Sequence, residues 1–279
     1  MKHAKIDIYE EIVRLRNIGE PAALATIVRR IGSTPRKDSA KMLIRKDGSS
    51  LGSIGGGCVE AEVWEIAQRV MSSNRPKILE YEMTDENMEE EGLVCGGKVE
   101  VFVEPILVNS TVIILGCGHV GQSISAQMVD LGCRVTVVDD RESFASTDRF
   151  PGTERVLIRD FGESLADLKI PQDGFAFIVT RGHRHDEQAL ASALRLGLRY
   201  IGLIGSRRKI KIIVTNLLEQ GFQIANFKNL YAPIGIDIGS ESPPEIAVSV
   251  AAELIAIRKG VHRRSAKQDF IHKFLAEMS

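Results

Sequence analysis

The chain of 279 residues has few cysteines and almost no net charge, and each scarcity excludes a class of protein. Its four cysteines show no paired Cys-x-x-Cys spacing, which fits a reducing compartment better than a disulfide framework. A net charge of -1 gives no electrostatic basis for binding nucleic acid or a membrane surface. No apolar run approaches the length of a membrane span, and the charged N-terminal segment predicts an amphipathic helix rather than a signal peptide. These absences predict a cytoplasmic protein with neither nucleic-acid nor membrane partners.

Two patterns of secondary structure divide the chain. Residues 1–107 mix helical and strand patterns without a repeating order, whereas strands and helices alternate from Thr111 onward. The later strands are continuously apolar, which is typical of a parallel sheet covered on both faces. The sequence therefore predicts an α/β protein: a smaller α+β domain over 1–107, a Rossmann-like doubly wound parallel sheet over 108–260, and a tail over 261–279. The sheet is predicted to have five or six strands, and the pattern locates five of them, at 111–115, 134–139, 154–158, 175–180 and 200–204.

The last strong helical pattern has clear signals at both ends. Ser242, Pro243 and Glu245 form a capping box with proline at the first helical position, and Gly260 is typical of a C-terminal stop. The sequence does not decide whether the tail that follows forms a further helix or has no regular structure.

The first of two glycine-rich turns ends on a cysteine. Gly55-Gly56-Gly57-Cys58 leads into a helical pattern, and a glycine turn that opens a helix presents backbone N–H groups to an anion. The same position lowers the pKa of a thiol, so Cys58 is a candidate reactive cysteine. A small buried core residue is the alternative, because free cysteine is commonly buried. Cys95, beside another glycine pair, is a second candidate thiol.

The second turn, Gly116-Cys117-Gly118-His119-Val120-Gly121, follows a strand pattern and opens a helix. This is the dinucleotide-binding arrangement, in which an acid at the end of the second strand hydrogen-bonds a ribose hydroxyl; here that acid is Asp139. Because Arg141 lies beside this acid in the sequence, a nucleotide that carries a 2′-phosphate on its ribose stays an open alternative. The alternative is a sheet whose glycines only pack helix against strand. His119 either contacts the ligand or packs within the loop, and Cys117 and Cys133 are predicted to be structural.

Three cations open the helix after the strand 200–204. Gly205-Ser206-Arg207-Arg208-Lys209 places them where they oppose the helix dipole, a cost that a bound anion would reverse. Because ligands of open α/β sheets bind at the carboxyl ends of strands, we favour an anion site here over three solvated side chains.

A histidine-rich segment, Thr180 to Asp186, also follows a strand. His183 and His185 are weak candidates for metal ligands or acid–base groups, and Asp186 is the expected N-cap of the next helix. The sequence predicts no metal site.

Taken together, these motifs resemble the xanthine dehydrogenase accessory proteins, the XdhC/CoxI family, over nearly the whole chain and in the family's order. The matching strings are STPRKDSAKMLI, DGSSLGSIGGGCVEAEV, CGGKVEVFVEP, GCGHVGQSIS, TVVDDR, TRGHRHDEQAL, YIGLIGSRRK and APIGIDIGSESPPEIAVSVAAELIAIRKG. The resemblance implies a non-catalytic, chaperone-like factor that binds the molybdenum cofactor, assists its sulfuration by a cysteine desulfurase, and passes it to an apo molybdenum hydroxylase. Molybdopterin carries a phosphate and its dinucleotide form a pyrophosphate, which suits the predicted anion sites. We expect the cofactor in a cleft between the domains.

Two other functions stay open, as does a homodimer. An NAD(P)-dependent oxidoreductase would use the same glycine turn and Asp139, with His183 or His185 as the acid–base group. A non-catalytic nucleotide-sensing Rossmann protein would bind the nucleotide without turnover.

Overall fold

The computed structural model describes residues 7–32, 40–83, 97–261 and 266–277. The chain divides into two compact units, Met1–Asn109 and Ser110–Ser279. The domain limits predicted above, 1–107, 108–260 and 261–279, stay predictions. Within the described residues, no helix combines the length and the apolar character that a bilayer span requires.

The first unit contains a five-stranded antiparallel sheet of order β3-β2-β1-β5-β4. Its helix α2 packs Val63, Ile66 and Val70 against one face, as the apolar spacing of that segment predicts. On the other face, Leu15 of helix α1 packs with Leu24 and other sheet residues. Its elements are α1 Ile8–Ile18, β1 Ala22–Gly32, β2 Lys41–Arg45, β3 Ser50–Gly52, α2 Gly57–Ser73, β4 Lys77–Met83 and β5 Gly97–Ile106.

A buried carboxylate ties α1 to the sheet. Glu11 is 4% exposed and accepts hydrogen bonds from Arg14 Nε at 2.8 Å and from Arg45 Nε, on β2, at 2.7 Å. The bond from Arg14 is the largest cause that lowers the pKa of Glu11 to about 2; burial opposes the shift and Arg45 adds to it. The carboxylate therefore stabilises this unit above its ordinary pKa near 4.5, and the stabilisation is lost as the pH falls toward 2.

We expect Glu11→Gln to lower the free energy of unfolding of the first unit by about 1–3 kcal/mol at neutral pH, because three charge-assisted hydrogen bonds, two from Arg14 and one from Arg45, are weakened. The difference from wild type should shrink as the pH falls below 4.5. Trp64, the only tryptophan, lies on α2, so its fluorescence during urea unfolding reports on this unit. Glu10→Gln, an exposed neighbour on the same helix, is the control. An effect of Glu11→Gln that is equal at pH 7 and pH 3 would contradict this account.

The second unit contains a six-stranded, fully parallel sheet of order β11-β10-β9-β6-β7-β8. The doubly wound sheet predicted from the sequence is confirmed. Strand β11 is an addition to the five strands that the pattern locates, because two residues are too short for an apolar pattern to emerge. The elements are β6 Thr111–Leu115, α3 His119–Asp130, β7 Arg134–Asp139, β8 Arg155–Ile158, β9 Phe175–Ile178, α4 His183–Leu194, β10 Tyr200–Leu203, α5 Arg207–Glu219, β11 Leu230–Tyr231, α6 Pro243–Arg258 and α7 Ala266–Glu277.

Helices cover both faces of this sheet, with one hydrophobic core on each side. Residues of α4, α5 and α7 share one core, and residues of α3 and α6 share the other. The capping box of α6 is confirmed, with the Ser242 N–H donating to Glu245 Oε2 at 3.0 Å, and Gly260 follows the helix at φ +67°. The tail forms α7, which buries Ile271 and Leu275.

The order of the strands creates a switch point between β6 and β9. The chain moves from β6 outward to β7 and β8, and then returns to build β9, β10 and β11 on the opposite side. The connections from β6 and β9 therefore diverge at their carboxyl ends, which is where open α/β sheets bind ligands.

Candidate nucleotide and cofactor site

In the glycine turn after β6, two buried glycines lie so close to neighbouring backbone atoms that no side chain would fit. A Cβ on Gly116, at φ +119°, would lie 2.5 Å from the carbonyl oxygen of Val179. A Cβ on Gly121 would lie 1.9 Å from the carbonyl oxygen of Gly116, so only glycine lets α3 begin this close to the turn. A Cβ on Gly118 would meet no atom within 4 Å. Gly118 therefore borders open space, while its two neighbours in the motif serve packing.

Two helices begin at the switch point with open N-termini. Gly118 is the N-cap of α3 and Gly182 is the N-cap of α4, and in the described part of the chain neither helix receives a side-chain cap. A Cβ on Gly182, as on Gly118, would meet nothing within 4 Å. The first backbone N–H groups of both helices are thus directed toward the carboxyl edge of the sheet, where they suit a phosphate group.

Asp139, at the end of β7, is a buried carboxylate that accepts hydrogen bonds from neighbouring residues. It is 1% exposed, and its Oδ2 accepts the Cys117 N–H at 2.7 Å and Arg141 Nη2 at 3.0 Å. Its Oδ1 accepts Arg141 Nε at 2.8 Å and the Arg141 N–H at 3.1 Å. The carboxylate thus connects β7 to the glycine turn. The ribose contact predicted for Asp139 stays a prediction, and it would require one of these bonds to be given up.

An ion pair crosses the end of β6. Arg181, after β9, donates from both terminal nitrogens to the carboxylate of Asp140, after β7, and β6 lies between these two strands. These bonds are the main cause that lowers the pKa of Asp140 to about 2, against the opposing effect of burial. Both residues belong to recognisable sequence motifs, but the spacing between them gives no indication that they pair.

In the third predicted anion site, at the start of α5, two residues make contacts within the protein and two arginines are exposed. Ser206 caps α5 by accepting the Lys209 N–H at 3.3 Å, and Gly205 precedes it at φ +155°. The Lys209 ammonium pairs with the fully buried Asp186, so it is not one of the solvent-facing cations. Arg207 is exposed and lies over the ring of Phe270 at 5.4 Å. Arg208 is exposed as well, and the role predicted for Arg207 and Arg208 in binding an anion stays a prediction.

The prediction that Asp186 caps α4 is wrong, because Gly182 is the N-cap. Asp186 instead accepts Thr180 Oγ1 at 2.6 Å and the Thr180 N–H at 3.2 Å, which ties the end of β9 to α4. Its burial is balanced by Lys209, a residue distant in sequence that spacing does not reveal.

The three histidines near this edge differ in their surroundings. His119 and His183 are exposed, and His185 packs edge-on against Phe161, with ring centroids 5.7 Å apart. Within residues 7–32, 40–83, 97–261 and 266–277, no three histidine, cysteine or acidic side chains are grouped as metal ligands would be.

The glycine turn of the first unit already holds an anion of its own. Glu60 Oε1 accepts the N–H groups of Ile54 at 2.9 Å, Gly55 at 3.2 Å and Gly56 at 3.0 Å, and the Ser53 hydroxyl at 2.6 Å. Burial alone would raise the pKa of Glu60, but these bonds together lower it. The expectation that the N–H groups of Gly55 and Gly56 are free is therefore wrong.

The candidate thiols differ in what the structure shows. Cys58 is the second residue of α2, directly after Gly57, and this position at a helix N-terminus matches the prediction for its backbone. Cys95 lies outside the described residues. Cys117 and Cys133 are buried, and burial, followed by the charge of Asp139, raises the pKa of the Cys117 thiol to about 12. Neither buried thiol is suited to nucleophilic chemistry at neutral pH.

The roles predicted for the glycine, cysteine and arginine residues in binding cofactor stay predictions.

The parallel sheet, its glycine turn and its switch point define a Rossmann-type domain attached to a smaller α+β unit. Comparison with known families agrees with this class: the family described as the XdhC Rossmann domain matches residues 112–254, and the XdhC and CoxI family matches residues 15–82. The chain belongs to the XdhC/CoxI family.

Three curated relatives are similar to most of this chain. The uncharacterized protein YqeB of Escherichia coli K12 is 34% identical over 91% of the chain, but the chain spans only 46% of that protein's length. A probable xanthine dehydrogenase subunit of Bacillus subtilis 168 is 24% identical, with 87% of this chain and 94% of the relative covered. The molybdenum cofactor insertion chaperone PaoD of Escherichia coli K12 is also 24% identical, with 86% of this chain and 84% of the relative covered.

A solved structure shares the fold. This crystal structure, described as a xanthine dehydrogenase from Bacillus halodurans, aligns with a TM-score of 0.50 at 21% identity, covering 94% of this chain and 98% of the other.

Proposed function

We propose that this chain is a maturation factor that binds the molybdenum cofactor and inserts it into an apo molybdenum hydroxylase. The observation that carries the proposal is family membership, together with similarity to a molybdenum cofactor insertion chaperone over 86% of the chain. A carrier needs a site that recognises the phosphate of the cofactor and still releases it. The carboxyl edge of the second unit supplies such groups.

The proposed site lies at the switch point of the parallel sheet. The open N-termini of α3 and α4 offer backbone N–H groups to a phosphate or pyrophosphate, and Gly118 and Gly182 leave room for it to approach. His119 stands exposed at the first turn of α3, and Arg207 and Arg208 add positive charge at the start of α5. Asp140 competes for the guanidinium of Arg181, which keeps the attraction moderate and favours reversible binding.

The glycine turn of the first unit is proposed to have a separate role, in the sulfuration of the cofactor. Since Glu60 occupies the N–H groups of Gly55 and Gly56, this turn suits a thiol contact better than phosphate binding. Cys58, at the N-terminus of α2, is the proposed contact to the cofactor or its sulfido ligand, with a cysteine desulfurase as the sulfur source. No specific observation favours the nicotinamide oxidoreductase alternative, since His183 is exposed and His185 packs against Phe161.

Retention of the cofactor by purified protein tests the proposal. We expect wild type to keep the pterin and molybdenum through gel filtration, and Gly118→Val and Arg207→Glu/Arg208→Glu to lose most of both. Valine at Gly118, where φ is -69°, enters open space and blocks the phosphate without straining the backbone. Arg195→Glu, an exposed arginine at the far end of α4, is the matched control.

If wild type retains no cofactor, the proposed function fails. If the variants retain it as wild type does, the function stands but the assignment of the site is wrong. Circular dichroism must show each variant folded for either conclusion to hold.

A further inference from the structure

We infer that the Rossmann site of this chain binds a nucleotide that carries a phosphate on its ribose, and that Arg149 recognises that phosphate. The inference concerns a second ligand class, which would use the same N-terminus of α3 as the proposed cargo and compete with it there, but its test does not depend on that cargo. It rests on two observations. The hydrogen-bonding positions of Asp139, at the end of β7, are filled, and Arg149 has no carboxylate partner among the described residues.

The usual acceptor for an unmodified ribose is occupied. In Rossmann domains that bind such a ribose, the acid at the end of the second strand accepts its hydroxyls. In this chain that acid, Asp139, is 1% exposed and accepts four hydrogen bonds, one from Cys117 and three from Arg141. A carboxylate has about four lone-pair positions, so a ribose hydroxyl would find all of them filled.

Arg149, which follows β7 in the chain, is a half-buried cation held in a fixed position. Its Nη1 donates to the carbonyl oxygen of Phe144 at 2.9 Å, and its Nη2 lies 3.4 Å from Gln122 Oε1. Its Cζ lies 4.9 Å from the ring centre of Phe144 and 5.8 Å from that of Phe150. Across the described segments of the chain, no carboxylate comes within 4.0 Å of its guanidinium.

The neighbouring arginines are balanced, which makes Arg149 the exception. Arg141 pairs with Asp139, and Arg181 pairs with Asp140. Two carboxylates and three guanidiniums therefore leave one positive charge, and its position is fixed without a counter-ion among the described residues. A preorganised guanidinium of this kind suits the bidentate geometry of a phosphate.

The position of Arg149 matches a ribose phosphate rather than the pyrophosphate. Gln122, on the first turn of α3, donates to the Arg149 carbonyl oxygen at 3.1 Å, which fixes the segment beside the glycine turn. Arg141, directly after β7, has its Cζ 3.6 Å from the ring centre of Phe144, and the Cζ of Arg149 lies 4.9 Å from the same centre, so Arg149 lies near the residues that follow β7. The pyrophosphate of a dinucleotide occupies the helix N-terminus, and its adenosine ribose lies toward the end of the second strand, where an arginine accommodates a 2′-phosphate.

Calorimetric titration with NADPH and NADH tests the inference. We expect wild type to bind NADPH at least about tenfold more tightly than NADH, since a charged hydrogen-bond pair is present in only one complex. Arg149→Gln should weaken NADPH binding about tenfold and leave NADH binding unchanged within about twofold. Arg195→Gln removes a guanidinium that likewise lies over an aromatic ring, Phe222 at 5.2 Å, and should change neither affinity. Adenosine 2′,5′-bisphosphate should compete with NADPH, which assigns the preference to the phosphate rather than to the nicotinamide.

Three results would overturn the inference. Wild type that binds neither dinucleotide, or both equally, has no ribose-phosphate site. An Arg149→Gln variant that weakens both dinucleotides to the same degree shows that Arg149 only holds its segment in place. Because the readout is dinucleotide affinity, failure here leaves cofactor retention, and thus the proposed function, untouched.

Discussion

Gly121→Ala is expected to unfold or severely destabilise the second unit, with a loss of about 3 kcal/mol or more in the free energy of unfolding. The added methyl group would lie 1.9 Å from the carbonyl oxygen of Gly116, and both partners belong to the backbone, so no side chain can move aside. Relief requires α3 to shift away from the turn. That shift would separate α3 from the core it shares with α6.

Gly118→Ala is the matched control for that substitution. It adds the same atom three residues earlier, at a φ of -69° and with no atom within 4 Å, so the free energy of unfolding should change by less than about 0.5 kcal/mol. Thermal unfolding followed by circular dichroism measures both variants. Trp64 fluorescence should stay unchanged, since Trp64 belongs to the first unit. Equal stability of the two variants would contradict the packing described for the glycine turn.

Recovery of hydroxylase activity is the second prediction with a large expected effect. A factor that shields the cofactor and transfers it should raise the amount of active enzyme several-fold over cofactor alone, because free cofactor is lost to solvent while it searches for its site. The effect requires the open helix N-termini of the second unit to hold the cofactor loosely enough for release. When the cofactor is supplied without its sulfido ligand and a cysteine desulfurase with cysteine provides the sulfur, Cys58→Ala should reduce recovery while leaving retention intact.

The fold is predictable from the sequence because its signals are local and repeated. Continuous apolar strands alternate with helices after Thr111, and the capping box at Ser242 and the stop at Gly260 fix the limits of α6. Strand β11 is not predictable in this way, because Leu230 and Tyr231 alone carry no pattern and pair with β10 through tertiary contact. The sequence does not decide whether the tail is helical, because α7 is stabilised by packing on α5 rather than by strong signals at its ends.

The candidate site is only partly predictable, because its charges are balanced through space. Glycine spacing indicates the two turns, but Glu60 stands in the sequence only as an acid in the first turn of α2, a capping signal that does not reveal its bonds to the turn. The pairs Lys209–Asp186 and Arg181–Asp140 join residues 23 and 41 positions apart, which no motif spacing connects. The first pair removes Lys209 from the three cations that the sequence assigns to an anion, and the second joins two residues to which the sequence assigns no role.

The most direct test of the central claim is transfer of molybdenum cofactor to an apo molybdenum hydroxylase. Purified protein is mixed with limiting cofactor, the apo enzyme is added, and recovered hydroxylase activity is compared with cofactor alone and with Gly118→Val. We predict that wild type raises recovery several-fold and that Gly118→Val, folded but blocked at the glycine turn, gives the level of cofactor alone. Recovery that is the same with wild type as with cofactor alone would contradict the account.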